Sequence, residues 1–460
     1  MNLNVKRLIA GLCCTVMIAG SLCGCGEKKE EASDGLTEVK IWASDKGAKA
    51  AMVELVNEYN ETTGKQKGIR INYEMLTGDF NQQLDLSLES GSAADIFVTS
   101  KLEAQAMQGY LQPINDLEGG EEFLKHFSDR YNLKGLSYED KVYSVPNKAL
   151  TVGLVYNKDM FKAAGLVDEN GEATPPETYE ELREYAKILT NKEKKQYGII
   201  FPGKSGTWYP YEIEFPMMSS VGHDGFDPVA EKYDYSGLKP IMEAIMGIKE
   251  DGSCYPGTES VDADPARARF AEGSIGMKFA MSWDVGVFTD QFPAKFDWGV
   301  APVPVVDKDN KYKQKMAVYK GFCMGKIPED KDADKIFEVY KWLCGDELQV
   351  ALYEREINLP WDFSIIEGKE FDDLSEQWIA FGDLLEISTV PPTGIRSDTT
   401  GEPSLADMFL SDVWNGSADA IEGILNRRTE ALNKGIEKYK KNNPDYVPDP
   451  ERNKSYDPTR

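Results

Sequence analysis

The chain has 460 residues, 41% of them hydrophobic, and sets 52 Lys+Arg against 78 Asp+Glu for a formal net charge of −26. So acidic a chain argues against a nucleic-acid partner, because phosphate binding needs a basic stripe. With two histidines, no H-E-x-x-H, no metal-ligand spacing among the cysteines and no G-x-x-x-x-G-K-[ST], no metal centre and no cofactor are expected.

Residues 1–24 read as a signal peptide: Lys6 and Arg7 precede an apolar run from Leu8 to Leu22 that is too short for a comfortable membrane span. The run ends in Leu22-Cys23-Gly24-Cys25. This resembles the bacterial lipobox, with Leu22 three residues before Cys25 and the small Gly24 just before it. Cys25 is therefore the expected lipidation site, and residues 25–36 a charged tether without apolar periodicity. A protein anchored in this way sits on the extracellular face of the cell membrane, held stably by two or more acyl chains. Removing Lys6 and Arg7 makes the mature chain about two units more acidic.

The mature fold is expected to start at Thr37–Trp42, an alternating strand. Ala48–Tyr59 follows as a helix with Met52, Leu55, Val56 and Tyr59 on one face and a stop at Gly64. Ile69–Met75 alternates again, Phe80–Leu88 has helical spacing, and Asp95–Val98 is a short apolar strand. Strand, helix, strand, helix, strand predicts a parallel α/β sheet. Further along, Leu150–Tyr156, Ile275–Met281 and Trp298–Pro304 read as strands. Tyr179–Leu189, Pro265–Glu272, Ile336–Tyr353 and Ala418–Tyr439 read as helices, and residues 440–460 as a loose tail. About 430 mature residues exceed one core, so two domains are expected. Cys254, Cys323 and Cys344 remain after processing; one bridge is open to them, three buried thiols being the expectation.

The order of these landmarks resembles the extracellular solute-binding proteins of ABC importers, the group that includes maltose-binding protein. Ile41-Trp42 with Asp45-Lys46-Gly47 is similar to the family's first strand and ligand-touching loop. Ser90-Gly91 followed by Ala94-Asp95-Ile96-Phe97 resembles its next signature, with Ala94 in place of the usual Pro. Tyr143-Ser144-Val145-Pro146, Val155-Tyr156-Asn157-Lys158-Asp159-Met160-Phe161 and Phe270-Ala271-Glu272-Gly273-Ser274-Ile275-Gly276-Met277 continue the series. The resemblance spans about Thr37 to Tyr439. It implies two lobes, each a mainly parallel sheet flanked by helices, with a ligand cleft between them. The N-terminal lobe would comprise 37–147 plus 302–322, and the C-terminal lobe 148–301 plus 323–439. It also implies no enzyme but a monomeric receptor that captures a small ligand and hands it to permease subunits.

A sugar offers C–H faces to aromatic rings and hydroxyls to carboxylates, amides and guanidinium groups. On that chemistry the resemblance implies ligand contacts at Asp45 and Lys46 after the first strand, Asp79 after the second, and Thr99 and Ser100 after the third. In the other lobe Trp208 and Tyr209 lie in a glycine-flanked loop, and Trp283 and Asp284 follow the strand Ile275–Met281. Tyr319, Trp361 and Arg396 complete the candidates. Asp45, Asp79 and Asp284 leave a polyamine open as the ligand, and a peptide is a further alternative. An exported glycoside hydrolase would need two carboxylates at fixed separation, and no residues single out such a pair.

Overall fold

The computed structural model describes residues 35–204, 210–228, 230–309, 312–391, 401–444 and 446. The strands that position the site are β1 (Thr37–Ala43), β2 (Ile69–Met75), β3 (Ile96–Val98), β4 (Pro146–Leu150), β5 (Val152–Asn157), β6 (Tyr197–Ile199), β7 (Ile275–Met281), β8 (Trp298–Ala301), β9 (Ala317–Lys320) and β10 (Phe322–Met324). The helices used below are α1 (Lys49–Tyr59), α2 (Phe80–Ser90), α3 (Tyr179–Leu189), α4 (Ala263–Ala271), α5 (Ala333–Cys344), α6 (Asp346–Tyr353) and α7 (Ile421–Asn442).

The first lobe is built on a four-stranded sheet in the order β10-β3-β1-β2. β1 pairs parallel with β2 and β3, while β10 runs antiparallel to β3 with Phe322 opposite Val98. The α1 face formed by Met52, Leu55, Val56 and Tyr59 is buried in this lobe's core with Val39, Ile41, Ile69 and Ile71. Helical structure continues past α1 and ends at Gly68, whose φ of 68° is the left-handed conformation glycine adopts most readily. Gly64 is therefore not the stop. It lies inside the helix, where a Cβ would come within 2.7 Å of the Ile69 carbonyl oxygen.

The second lobe carries a sheet in the order β8-β5-β7-β6. Only the β7–β6 pair is parallel; β5 is antiparallel to both of its neighbours. The expectation of a mainly parallel sheet thus fails here, and the reason is where β5 comes from. It enters directly from the crossing strand β4, so it alone runs away from the junction, while β7 and β8 return toward it. Met281, the last residue of β7, stands opposite Val152, the first of β5. Both faces of β7 are covered, and all seven of its residues are buried. α3 opens with a capping box, the Glu181 amide donating to Thr178 Oγ1 at 3.2 Å and the Thr178 amide to Glu181 Oε2 at 3.3 Å. It buries Tyr179, Leu182, Ala186 and Leu189 against the sheet.

Among the described residues, three segments join the lobes. β4 leads out of the first lobe and β9 leads back, paired antiparallel as a two-stranded ribbon. A third passes through Leu359, which makes a bridge to Ala149. The return therefore falls near Lys320 rather than Pro302, and the final crossing lies in the stretch from Leu359 to Ile366 rather than near Phe322. Val303 belongs to the second lobe's core. α5 and α6, expected in the second lobe, pack in the first through Ile336, Phe337, Tyr340, Leu343, Leu348 and Leu352. Each such side chain stabilises its lobe by roughly 1.5–3 kcal/mol. Tyr340 donates to the Phe322 carbonyl at 3.0 Å, fixing α5 over β10. Gly345 has extended backbone (ψ 155°) and divides the expected single helix in two.

The C-terminal helix α7 runs to Asn442, and Tyr446 beyond it donates to Glu231 at 2.7 Å. Tyr446 also packs beside Phe226 and Ile436, so it lies against the fold where a loose tail was expected. Cys254, Cys323 and Cys344 are buried free thiols. Trp298, Trp378 and Trp414 are buried, and Trp342 packs on Tyr59 with ring centroids 4.8 Å apart. No helix among the described residues is long and apolar enough to cross a membrane.

Candidate functional site

In both lobes the parallel strands point their carboxyl ends at the crossing segments. β10 enters from the junction opposite the end of β3, and β5 leaves the junction opposite the end of β7. The loops after β1, β2, β3 and β7 therefore gather on the junction side, where ligands of open α/β sheets bind.

Asp45, in the loop after β1, is half-buried. It accepts from the Gly47 amide at 3.1 Å and, at 3.4 Å, the Ala48 amide, and it forms an ion pair with Lys148 of β4. Lys148 also donates to Asn358 Oδ1 at 3.2 Å and stands 5.9 Å from the centroid of the Tyr319 ring on β9. One ammonium thus links a first-lobe loop to all three crossings. Burial raises the Asp45 pKa, but the Lys148 charge and the hydrogen bonds outweigh it and hold the carboxyl below its ordinary value. Burial and the Asp45 charge push the nearby Tyr73 phenol well up. Lys46 is exposed beside Asp45.

The other first-lobe candidates are occupied locally. Asp79 is exposed and caps α2, accepting from the Gln82 amide at 3.1 Å. Thr99 is buried and accepts from the Lys101 amide at 3.0 Å. Ser100 is exposed and donates to Asn81 Oδ1 at 3.1 Å. Trp42 is half-buried and donates through its indole N–H to Glu74 at 3.1 Å.

In the second lobe Trp283 is half-buried at the end of β7, packed against that lobe's core. Asp284 is fully buried: Oδ1 accepts from Arg267 Nε of α4 at 2.7 Å and Oδ2 from the Met281 amide at 3.0 Å. It supports the turn that carries Trp283 and does not face solvent. Arg267 approaches a second buried pair, Glu212 with Lys278, at 3.9 Å from Glu212 Oε1. Burial pushes the Glu212 carboxyl upward against the pull of Lys278.

Trp361 is not a cleft residue. It is 2% exposed in the first lobe's core, with Arg130 4.5 Å above its ring and the Phe127 ring 5.5 Å away. Trp208, Tyr209, Arg396 and Cys25 lie outside the described residues. Of the described candidates, the structure brings Asp45 and Tyr319 together, through Lys148. Lys148 and Asn358 were missed by sequence reasoning. For Lys148 the available signal was Asn147-Lys148, a polar pair inside the Val145–Val155 stretch, which is otherwise apolar but for Thr151.

The family of bacterial extracellular solute-binding proteins matches residues 43–347. The maltodextrin-binding protein MdxE of Bacillus subtilis is 21% identical over 417 residues, 85% of this chain and 89% of that protein. The sn-glycerol-3-phosphate-binding periplasmic protein UgpB of Brucella melitensis is 24% identical over 362 residues, 74% of this chain and 78% of its own length. Among solved structures, the cyclic alpha-maltosyl-1,6-maltose binding protein of Arthrobacter globiformis superposes with a TM-score of 0.65 at 20% identity, covering 89% of this chain and all of that one. The structural likeness speaks for the fold and the sequence match for descent. The chain belongs to the bacterial extracellular solute-binding proteins.

Proposed function

We propose that this chain is the lipid-anchored receptor of an ABC importer, capturing a sugar or oligosaccharide between its lobes and delivering it to the permease. The observation that carries this is the shared orientation of the two sheets. The strands β1, β2, β3 and β7 end toward the crossing segments in both lobes, which supports a site formed by the loop after β1 in one lobe and the Trp283 turn in the other. Stacking on Trp283, with hydroxyls held by Asp45 and Lys46, suits a polyhydroxyl ligand. Tyr319, Asp79, Ser100, Trp208, Tyr209 and Arg396 remain proposed contacts. Relatives named for maltodextrin and cyclic maltosyl-maltose binding support the ligand class. Lobe closure around the ligand would present a different surface to the permease.

The test is a thermal-shift screen of the domain from Gly26 against mono- and oligosaccharides, with spermidine, short peptides and sn-glycerol 3-phosphate as controls. A ligand at a thousandfold its Kd adds about 4 kcal/mol to stability. A shift with one glycan series, lost in Trp283→Ala, is the expected result. A shift only with a polyamine, peptide or phosphate ester would overturn the sugar assignment. Anchoring is tested separately: Cys25→Ser should move the protein from the membrane fraction to the soluble fraction, and retention on the membrane would count against lipidation at that residue.

A further inference from the structure

We propose that Lys148 sets the charge selectivity of the site, closing it to cationic solutes and leaving it open to neutral ones. The inference rests on the proposed function, in which the loop after β1 faces the ligand. A chain with a net charge of −26 draws cations toward its surface. Selection against a polyamine must therefore come from groups inside the site. At the junction the carboxylate that would receive a cation, Asp45, is already paired with Lys148. The same ammonium is held by Asn358 Oδ1 at 3.2 Å and lies near the Tyr319 ring. It is fixed from three directions, and its side chain is only 27% exposed.

The neighbouring acids offer a cation little more. Glu74 accepts from the Trp42 indole at 3.1 Å, Asp79 caps α2, and Asp284 is buried against Arg267. Lys46 adds a second positive charge to the loop that carries Asp45. An incoming ammonium would have to displace Lys148 from Asp45 and leave that lysine half-buried without its counter-charge, which is costly. A neutral hydroxyl has no such conflict. It can donate to a lone pair of Asp45 while the ion pair stays intact, and it gains from the carboxylate's full charge.

The experiment measures binding of a maltooligosaccharide series and of spermidine by calorimetry, using the domain from Gly26 in four forms: unaltered, Lys148→Met, Lys148→Arg, and Lys148→Met with Asp45→Asn. Melting curves in each case establish that the variant is folded. The unaltered domain should take the neutral sugar and not spermidine. Lys148→Met should gain spermidine affinity by about tenfold or more, Lys148→Arg should keep the original preference, and the double variant should lose the gain because Asp45 is its source.

If Lys148→Met and Lys148→Arg fold and neither gains spermidine binding, the inference is wrong even when the sugar binds. If the unaltered domain binds spermidine, the inference falls, and the sugar assignment falls with it when no sugar binds. If it binds no probe, the sugar assignment fails alone. Lys148→Met then still decides the charge role by gaining the polyamine or not.

Discussion

Arg267 and Asp284 meet in the interior of the second lobe, Nε donating to Oδ1 at 2.7 Å, with side-chain exposures of 5% and 0%. The carboxylate's other oxygen takes the Met281 amide at 3.0 Å, so one residue ties α4 to the end of β7 and fixes the turn that presents Trp283.

Removing either partner strands a buried charge. Asp284→Ala should cost roughly 3–5 kcal/mol of unfolding free energy, measured by urea titration. A loss below about 1 kcal/mol would mean that solvent or Asp264, which accepts from Arg267 Nη1 at 3.0 Å, satisfies the guanidinium without it.

The two tryptophans at 283 and 361 should separate cleanly. Trp361→Ala removes a ring from beneath Arg130 in the first core and should cost about 3–5 kcal/mol in stability while leaving ligand affinity in the folded protein intact. Trp283→Ala should do the reverse. Calorimetric affinities and melting curves on both variants check this, and a stable Trp361→Ala protein with weakened ligand binding would return Trp361 to the site.

Acid sensitivity should depend on Asp251. Its carboxylate accepts from Arg183 at 2.6 and 3.1 Å, and Lys187 lies 3.0 Å away. These partners, Arg183 foremost, hold its pKa down from 3.8 to about 2. A folded pKa below the unfolded one gives stability that is fully present above about pH 4 and lost as pH falls through about 2. Asp251→Asn should remove that part of the acid loss. Urea midpoints measured between about pH 5 and pH 2 should therefore fall less steeply in the variant, and parallel curves would argue against the assignment.

Thr178→Ala should cost about 1 kcal/mol by opening the capping box of α3, with no effect on ligand affinity, since the capping bonds are made between Thr178 and Glu181 and involve none of the proposed ligand contacts. Denaturant titration alongside calorimetry reads both quantities. Unchanged stability would show that the Glu181 carboxylate alone suffices to cap.

Much of the scaffold was legible in local pattern. β2, α3 and β7 have the expected bounds, because alternation and 3.6-residue spacing register directly which residues face a core. Gly64 misled because a glycine inside a helix looks like one that ends it; the difference lies in how close Ile69 approaches. α5 and α6 were placed in the wrong lobe because an amphipathic face declares that it will be buried, not against which sheet. Asp284 carried the right residue type at the right position for a ligand contact, and Arg267, seventeen residues earlier, together with the Met281 amide turns it inward.

By itself the sequence determined the alternating strands and helix faces, and the series of landmarks that marks the family, since each is a property of neighbouring residues. Tertiary structure alone decided which way each sheet points, which lobe owns the segment after Phe322, and that Lys148 meets Asp45 across 103 positions of chain. The physical reason is that an ion pair between distant residues leaves no period in the sequence. It exists only once β1 and β4 have been brought to the same junction by the burial of two separate cores.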